Sequence, residues 1–357
     1  VSSPRLSVVA GTRPNFVKLA PLLRRLAERA PVDFVHTGQH YDREMSQAFF
    51  DDLRLPPPDI NLGVGSATPA RQTAQVMIAY EARLTERPAD VVLTIGDVNS
   101  TLAAALVAAK LHIPVAHVEA GVRSHDRSIP EEVNRVLTDQ LSDWLFVPTA
   151  HDADHLRREG FAEERIHLVG NVTIDTLLAV RTRAWERYPS LVRRLGLPEV
   201  YAVLTLHRPS NVDDPTRLAR LLDALGDLEM PIVAPVHPRT RDRLAAIGYR
   251  LPPRITGIRP LGYIDFVALV EHAALVVTDS GGLPAETTVL GVPCVTVADS
   301  TPWPITVERG TNRVAGTDPE AVVAACFAAL AAPAHPVTIP LWDGHTAERI
   351  CDALLGP

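Results

Sequence analysis

The sequence predicts an α/β protein built of two doubly wound domains, and three observations predict it. Short apolar runs of about four to six residues alternate with helix-like stretches of about 10–20 residues, the pattern of βαβ units in a parallel sheet. The alternation runs through the first half of the chain and begins afresh in the second. The length, 357 residues, corresponds to two domains at about 100–200 residues each.

In chain order, Leu6–Ala10 reads as a buried strand, followed by Gly11-Thr12-Arg13-Pro14 and an amphipathic stretch over Phe16–Ala30. Further strands are expected at Val32–His36, Val91–Ile95, Val115–Val118 and Trp144–Val147. Residues 171–198 carry a helical pattern, then Tyr188-Pro189 and Gly196-Leu197-Pro198, and the hinge is placed there. The second half offers strands at Tyr201–Leu206, Ile232–Pro235, Leu275–Thr278 and, after Gly291-Val292-Pro293, Cys294–Val297.

Composition narrows the class. Hydrophobic residues are 46% and charged residues 22%, enough apolar surface for two cores and against disorder. The longest apolar stretch, Leu102–Leu111, is interrupted by Lys110 and falls short of the roughly 18 residues of a membrane span. Lys and Arg number 35 against 42 Asp and Glu, a net charge of −7, which argues against a nucleic-acid partner. Cys294, Cys326 and Cys351 are odd in number and far apart, so neither a disulfide framework nor a zinc site is expected. The opening Val1-Ser2-Ser3-Pro4-Arg5-Leu6 runs straight into a strand, and a soluble, reducing, cytoplasmic setting without membrane partners is expected.

Open α/β sheets bind ligands outside the carboxyl ends of their strands. With two such domains the expected site is the cleft between them. The polar residues just after the strands are therefore candidates: Arg13, Gln39, Asp97, Glu119, His207, His237 and Ser280.

Each motif has a plain structural alternative. Gly11 to Lys18 joins a strand to a helix, where Arg13 and Lys18 suit a phosphate, or where an ordinary βα turn carries Pro14. Thr278-Asp279-Ser280-Gly281-Gly282 lets backbone N–H groups approach a phosphate, and Glu286, one turn on, can hold ribose hydroxyls; this order fits nucleotide binding better than a simple Gly-rich turn. Asp97 ends a strand, and capping the following helix is its rival role. His117 and Glu119 share a side by alternation, which favours a cleft position for both over burial of a bare carboxylate. Ser128 and Glu131 form an S-x-x-E capping box, and Glu132 with Arg135 forms a helix-surface pair at i, i+3. His207 and His237 follow strands but lack metal-ligand spacing. No G-x-S-x-G or dinucleotide fingerprint occurs.

Taken together, the strings GTRPNFVKLAPL, HTGQHYD, GDVNSTLA, HVEAGVRS, IPEEVNRVLTD, VGNVTID, LHRPSN, TDSGG and DGHTAERI resemble the non-hydrolysing UDP-N-acetylglucosamine 2-epimerase family, in order and over almost the whole chain. The resemblance implies the glycosyltransferase-B fold, two Rossmann-like domains facing across a cleft. It places an N-terminal domain at 1–175 with the last helix, about 346–357, packing back on it, and a UDP-binding domain at 176–345. It implies a homodimer, UDP-GlcNAc, UDP-ManNAc and UDP as ligands, and no metal or other cofactor. By motif, Arg13 and Lys18 fall on phosphate-contacting positions, and Asp97, Glu119 and Glu131 on three acids tied to catalysis. His207 matches a histidine near the diphosphate, Ser280, Gly281 and Gly282 the phosphate turn, Glu286 the ribose acid and Arg313 a cleft arginine. Gln39, Arg208 and His237, with Glu131, match a second, activating site.

The chain also departs from the commoner family pattern. Leu283-Pro284-Ala285-Glu286 keeps only the last of the usual polar residues, and Trp303-Pro304-Ile305 lacks a carboxylate. GQHYD at 38–42 and the absence of a basic residue near 67–70 imply weak or absent activation by UDP-GlcNAc. GQHYD, VRSHDRSIPEE and the Trp303 string also resemble a neighbouring branch acting on UDP-2,3-diacetamido-2,3-dideoxyglucuronic acid, with Arg123 and Arg127 near enough to meet an extra carboxylate. A hydrolysing epimerase, a glycosyltransferase on the same fold, and a nucleotide-sugar sensor complete the alternatives. The step serves surface polysaccharide or specialised metabolites such as aminosugar antibiotics.

Overall fold

The structure, a computed structural model, describes residues 3–38, 50–127, 129–236, 238–332 and 335–356, with all their side chains except those of Arg13, Pro238 and Arg239. The chain divides into two compact units, Val1–Ala179 with Pro340–Pro357, and Val180–Ile339.

The first unit holds a seven-stranded parallel sheet in the order β3-β2-β1-β4-β5-β6-β7. Its strands are β1 (Leu6–Ala10), β2 (Val32–His36), β3 (Ile60–Asn61), β4 (Val91–Ile95), β5 (Val115–Val118), β6 (Trp144–Val147) and β7 (Ile166–Leu168). The helices are α1 (Arg13–Ala27), α2 (Pro69–Glu86), α3 (Asn99–Lys110), α4 (Pro130–Leu141), α5 (Ala150–Arg158) and α6 (Val172–Leu195). Residues of β1, β4 and β5 are buried throughout, which is why these strands read as continuous apolar runs rather than alternating ones. Strands β3 and β7, two and three residues long and partly exposed, have no such signature and escape the sequence reading. The apolar stretch around Leu102 is the buried helix α3, whose alanines pack with Val92 and Val115.

The second unit repeats the plan with the order β10-β9-β8-β11-β12-β13, all parallel. Its strands are β8 (Ala202–Thr205), β9 (Ile232–Pro235), β10 (Ile255–Ile258), β11 (Leu275–Thr278), β12 (Cys294–Thr296) and β13 (Asn312–Val314). Its main helices are α7 (Pro215–Gly226), α8 (Pro238–Ala246), α9 (Tyr263–Glu271), α10 (Leu283–Leu290) and α11 (Pro319–Ala331). The core joins Leu204, Val277 and Val295 of the sheet to Leu221 and Leu225 of α7 and Val322 and Cys326 of α11.

Residues 172–195 form one continuous helix, with Pro189 inside it, and the division between the units falls within that helix. Pro189 is exposed, so the one backbone bond it forfeits opens toward solvent, and a 24-residue helix retains the rest. The last helix, α12 (Thr346–Leu355), packs against α1 of the first unit. Asp175 of α6 accepts the Ala347 N–H at 2.8 Å, satisfying one of the donors that a helix start leaves open. Arg29 of α1 meets Asp352 at 2.6 Å. Gly170 permits this close approach: at φ +100° its missing Cβ would lie 2.1 Å from the Leu341 carbonyl oxygen.

In each sheet the strand order reverses once, between β1 and β4 and between β8 and β11. These switch points open a crevice at the carboxyl ends of the strands, where doubly wound sheets take their ligands. Among the described residues, no helix is long and apolar enough to cross a membrane.

Candidate active site

In the first unit, the turns at the switch point gather Lys18, Asp97, Glu119 and Arg135. Lys18 lies on α1, one turn past the loop that leaves β1. Asn15 fixes the start of that helix: its Oδ1 accepts from Thr12 N–H and Oγ1–H, and its Nδ2 donates to the Ile95 carbonyl at 2.8 Å. Asn15 thereby ties the β1 loop to the end of β4. Lys18 Nζ forms an ion pair with Glu119 and lies 3.3 Å from where a Cβ on Gly96 would sit.

Asp97 does not cap the helix it precedes. Val98 holds the N-cap of α3, and the Asp97 carboxylate pairs with Arg135 of α4. Burial by itself would raise the Asp97 pKa, but Arg135 first and Lys18 next outweigh it and hold the carboxyl below its ordinary range. Asn134 completes the clamp by donating to the Asp97 carbonyl at 2.9 Å and to Asn99 Oδ1 at 3.2 Å.

Glu119 follows β5 in the left-handed region, φ +75°, where a residue with a Cβ is strained. Two bonds to the Phe146 carbonyl, from Glu119 N–H and Ala120 N–H, both at 3.1 Å, hold the turn. Asp152 at the start of α5 is buried, and its pKa is pushed up to about 7, chiefly by desolvation, with Glu119 adding to the rise against the Thr149 hydrogen bond.

Three expectations are corrected here. His117 is not on a cleft wall with Glu119: it is fully buried, with Nδ1 2.6 Å from Asp139 Oδ1 and Nε2 2.8 Å from the Gly96 oxygen. The αL turn at Glu119 breaks the alternation that would have placed the two on one side. The cap of α4 is Ile129, because Pro130 takes the first helical position; Ser128 lies outside the described residues. Glu132 and Arg135 do pair, at 3.1 Å, but buried rather than on the helix surface. Glu132 is the acid that reaches back, accepting from Ser124 N–H and Oγ–H and from His125 N–H, each at 2.9 Å. Its neighbour Glu131 is exposed in the first turn of α4.

In the second unit, the organising residue is Asp279, directly after β11 and fully buried. Its carboxylate accepts His207 N–H at 3.0 Å, Arg208 N–H at 2.9 Å and Asn211 Nδ2–H at 3.1 Å, and it meets His207 Nδ1 at 2.9 Å. Burial works against this charge, but His207 and Asn211 prevail and keep the Asp279 pKa below the usual range. The His207 ring is thereby anchored at one nitrogen while its side chain stays 59% exposed, a ring fixed in direction and open to a ligand. Ser280, Gly281 and Gly282 form the turn into α10. Arg208 Nη2 lies 3.6 Å from where a Gly281 Cβ would sit, and space beside Gly282 is open. Helix α10 starts at this turn, where Gly282 and Leu283 N–H donate to Ser280 Oγ at 3.3 and 3.4 Å, so the positive end of its dipole and Arg208 lie beside the exposed Gly282, a fitting place for an anion.

Glu286 sits in the first turn of α10, buried, with its Oε1 accepting the Tyr263 hydroxyl at 2.6 Å. Burial pushes its pKa up to about 7 and the Tyr263 bond restrains the rise. Arg313 is exposed on β13. Gln39 and His237 lie outside the described residues, as does the side chain of Arg13. Among the described residues, no group of three His, Cys, Asp or Glu side chains could hold a metal ion.

Arg135, Glu132, Asp139, Tyr263 and Asp279 escape the sequence reading as site residues. Only Asp279 had a usable signal, a carboxylate placed directly after a strand and beside Ser280-Gly281-Gly282. Arg135, Asp139 and Tyr263 depend on partners far away in the chain, and the Glu132–Arg135 spacing by itself gave no sign that the pair is buried.

Comparison with known proteins gives the family and the fold. A family model described as UDP-N-acetylglucosamine 2-epimerase matches residues 24–355. The chain is 40% identical, over 97% of each sequence, to the UDP-N-acetylglucosamine 2-epimerase of Methanocaldococcus jannaschii. The crystal structure of that protein in complex with UDP-GlcNAc and UDP superposes with a TM-score of 0.92, covering 98% of this chain and 99% of that one. A UDP-2,3-diacetamido-2,3-dideoxy-D-glucuronate 2-epimerase from Pseudomonas aeruginosa is 36% identical over 98% of this chain and 99% of its own length. The fold extends to a calicheamicin glycosyltransferase, at 15% identity and a TM-score of 0.53 over 99% of this chain and 95% of that one.

Proposed function

The chain belongs to the UDP-N-acetylglucosamine 2-epimerase family, a family of isomerases, and from that premise we propose that it interconverts UDP-GlcNAc and UDP-ManNAc without hydrolysis. The observation that carries this reading is the cluster of Lys18, Asp97, Glu119 and Arg135, two carboxylates gathered with two cations at the switch point of one sheet.

The C2 proton of the sugar is not α to a carbonyl, so direct abstraction is hard. As the C1–O bond to UDP breaks, C1 gains oxocarbenium character and the C2 proton becomes acidic. A carboxylate takes that proton, the C2–H electron pair becomes the C1–C2 double bond, and UDP departs with the C1–O pair. The products are 2-acetamidoglucal and bound UDP. Protonation of C2 from the opposite face and return of the UDP oxygen to C1 give the epimer. General acid–base help of this kind contributes about 10²–10⁴-fold. Asp97, held ionised by Arg135 and Lys18, begins the cycle able to take a proton rather than give one. Glu119 and Glu131 are the partners proposed for the other face. Arg13, the turn Ser280–Gly282 and His207 stabilise the departing diphosphate, Glu286 holds the ribose, and Arg313 is a further ligand contact. The same family reading carries the expectation of a homodimer.

Proton NMR of UDP-GlcNAc with the enzyme in D2O tests the proposal. Deuterium at C2 with UDP-ManNAc appearing and UDP retained is the expected result. Free ManNAc with UDP would make the enzyme hydrolysing. Absence of exchange would pass the assignment to the diacetamido-glucuronate substrate, a reading favoured by the 36% identity to the Pseudomonas aeruginosa relative, close to the 40% of the archaeal one.

A further inference from the structure

We propose that His117 and Asp139 form a positioning pair for the reaction, setting from beneath the two turns that carry Asp97 and Glu119; this rests on the catalytic reading of those two acids given above.

Both residues are fully buried, and neither touches the ligand-facing surface. Their partners lie in the turns at issue. His117 Nε2 faces the Gly96 carbonyl oxygen at 2.8 Å, an acceptor only, so this nitrogen donates. Gly96 immediately precedes Asp97 and adopts φ +70°, a conformation open to few other residues. On the other side, Asp139 faces three partners. Gly121 N–H donates to Oδ2 at 3.1 Å, Arg123 Nη1 meets Oδ2 at 2.7 Å, and His117 Nδ1 lies 2.6 Å from Oδ1. Gly121 closes the turn that begins with the strained Glu119, and it too has positive φ, +76°. A Cβ there would strike the Asp152 carbonyl oxygen at 2.5 Å, so only glycine fits at this point of the turn.

The chain of bonds thus runs from Gly96 through His117 and Asp139 to Gly121. It links a β4 turn, a β5 turn and helix α4 by hydrogen bonds wholly shielded from water, where each is stronger and costlier to leave unmade. Arg123 extends it to Glu159 through a two-point contact at 2.7 and 2.8 Å. The strained Glu119 turn and the left-handed turn at Gly96, which glycine leaves free to adopt many other angles, both need such a frame: without it each would settle elsewhere and swing its carboxylate. A displacement of about 1 Å at a reacting group can cost about a hundredfold in rate.

The two ring nitrogens allow a discriminating test. In the folded protein, His117→Gln reaches to the position of Nε2 and keeps a donor for Gly96, whereas His117→Asn reaches only to Nδ1 and keeps Asp139. Steady-state kinetics on UDP-GlcNAc, normalised to folded protein by circular dichroism, should show His117→Asn losing at least tenfold in kcat with KM within threefold. His117→Gln should recover most of that loss. Asp139→Asn, measured the same way, should also lower kcat at near-constant KM, and serves if a His117 variant does not fold. A purely structural role would lower the melting temperature of all three and leave kcat per folded molecule at the wild-type value, which would overturn the proposal. Equal kcat losses in the two His117 variants would overturn it as well. A wild-type chain that leaves the C2 proton unexchanged in both UDP-GlcNAc and the diacetamido-glucuronate substrate would overturn the catalytic reading and this inference together, whereas an active wild type with unaffected variants would overturn the inference alone.

Discussion

Replacing Arg135 with Gln isolates the ion pair that governs the first half of the site. The Arg135 side chain is 9% exposed and joins two carboxylates, Asp97 at 25% exposure and Glu132 at 3%. Removing one member of a buried ion pair costs about 3–5 kcal/mol, because the remaining charge is left desolvated. Here the lower end applies. Asp97 keeps some access to water and Lys18 nearby, and Glu132 keeps three donors from Ser124 and His125. A loss of about 3 kcal/mol, in a unit of about 200 residues, corresponds to roughly 6–12 °C in melting temperature. The pH dependence sharpens the test. Both carboxylates have folded-state pKa values below their ordinary ones, Arg135 contributing to each. The stability they supply is therefore present above the unfolded values, about 3.9 and 4.3, and disappears as pH falls through the lower folded values. The gap between wild type and Arg135→Gln should stay flat from about pH 6 to 8 and narrow below about pH 4. Thermal and urea denaturation followed by circular dichroism measure it. A gap under about 1 kcal/mol at pH 7, or one undiminished at about pH 3, would refute the electrostatic account.

Three further predictions use the same logic. Glu119→Gln and Glu119→Gly both remove the charge that pairs with Lys18, but only Gly relieves the left-handed backbone, so the Gly variant should be the more stable by about 1 kcal/mol while neither turns over substrate; equal melting temperatures would remove the strain argument. Glu286 has a folded pKa raised to about 7, so its favourable contribution is present below the unfolded value near 4.3 and is lost as pH rises through about 7. Glu286→Gln should accordingly gain stability relative to wild type by up to roughly 3 kcal/mol between about pH 5 and 8, read from urea midpoints, and a pH-independent difference would contradict it. Initial rates should rise hyperbolically with UDP-GlcNAc, since residues 67–70 (Ala67-Thr68-Pro69-Ala70) offer no cation for a second, activating molecule; strongly sigmoidal kinetics would sink that expectation.

Much of the fold was legible because its signal is local. Buried parallel strands need apolar residues on both faces, so Val91–Ile95 and Leu275–Thr278 announce themselves as short runs bounded by turns. The same rule failed for β3 and β7, which lie half-buried at the sheet edges and carry no pattern. Within residues 171–198 the helix runs on past Tyr188-Pro189, because Pro189 is a reliable helix breaker only where its missing N–H cannot be spared.

For the site, sequence order alone placed Lys18, Asp97, Glu119, His207 and Ser280 after strands, and the doubly wound topology turns that order into two clusters at the switch points. What order could not determine was which side chains would be buried and with whom. His117 and Glu119 are two residues apart, yet one is sealed against Asp139 and the other pairs with Lys18, because a left-handed turn intervenes. Glu131 and Glu132 are adjacent, yet one is exposed and the other is buried against Arg135 and the backbone of residues 124–125. Asp279 becomes the anchor of His207 only once β8 and β11 lie side by side. Local pattern reports how a residue relates to its own strand or helix. The protonation, orientation and strain of a site residue depend on groups that only tertiary packing brings within about 3 Å, where hydrogen bonds and ion pairs act.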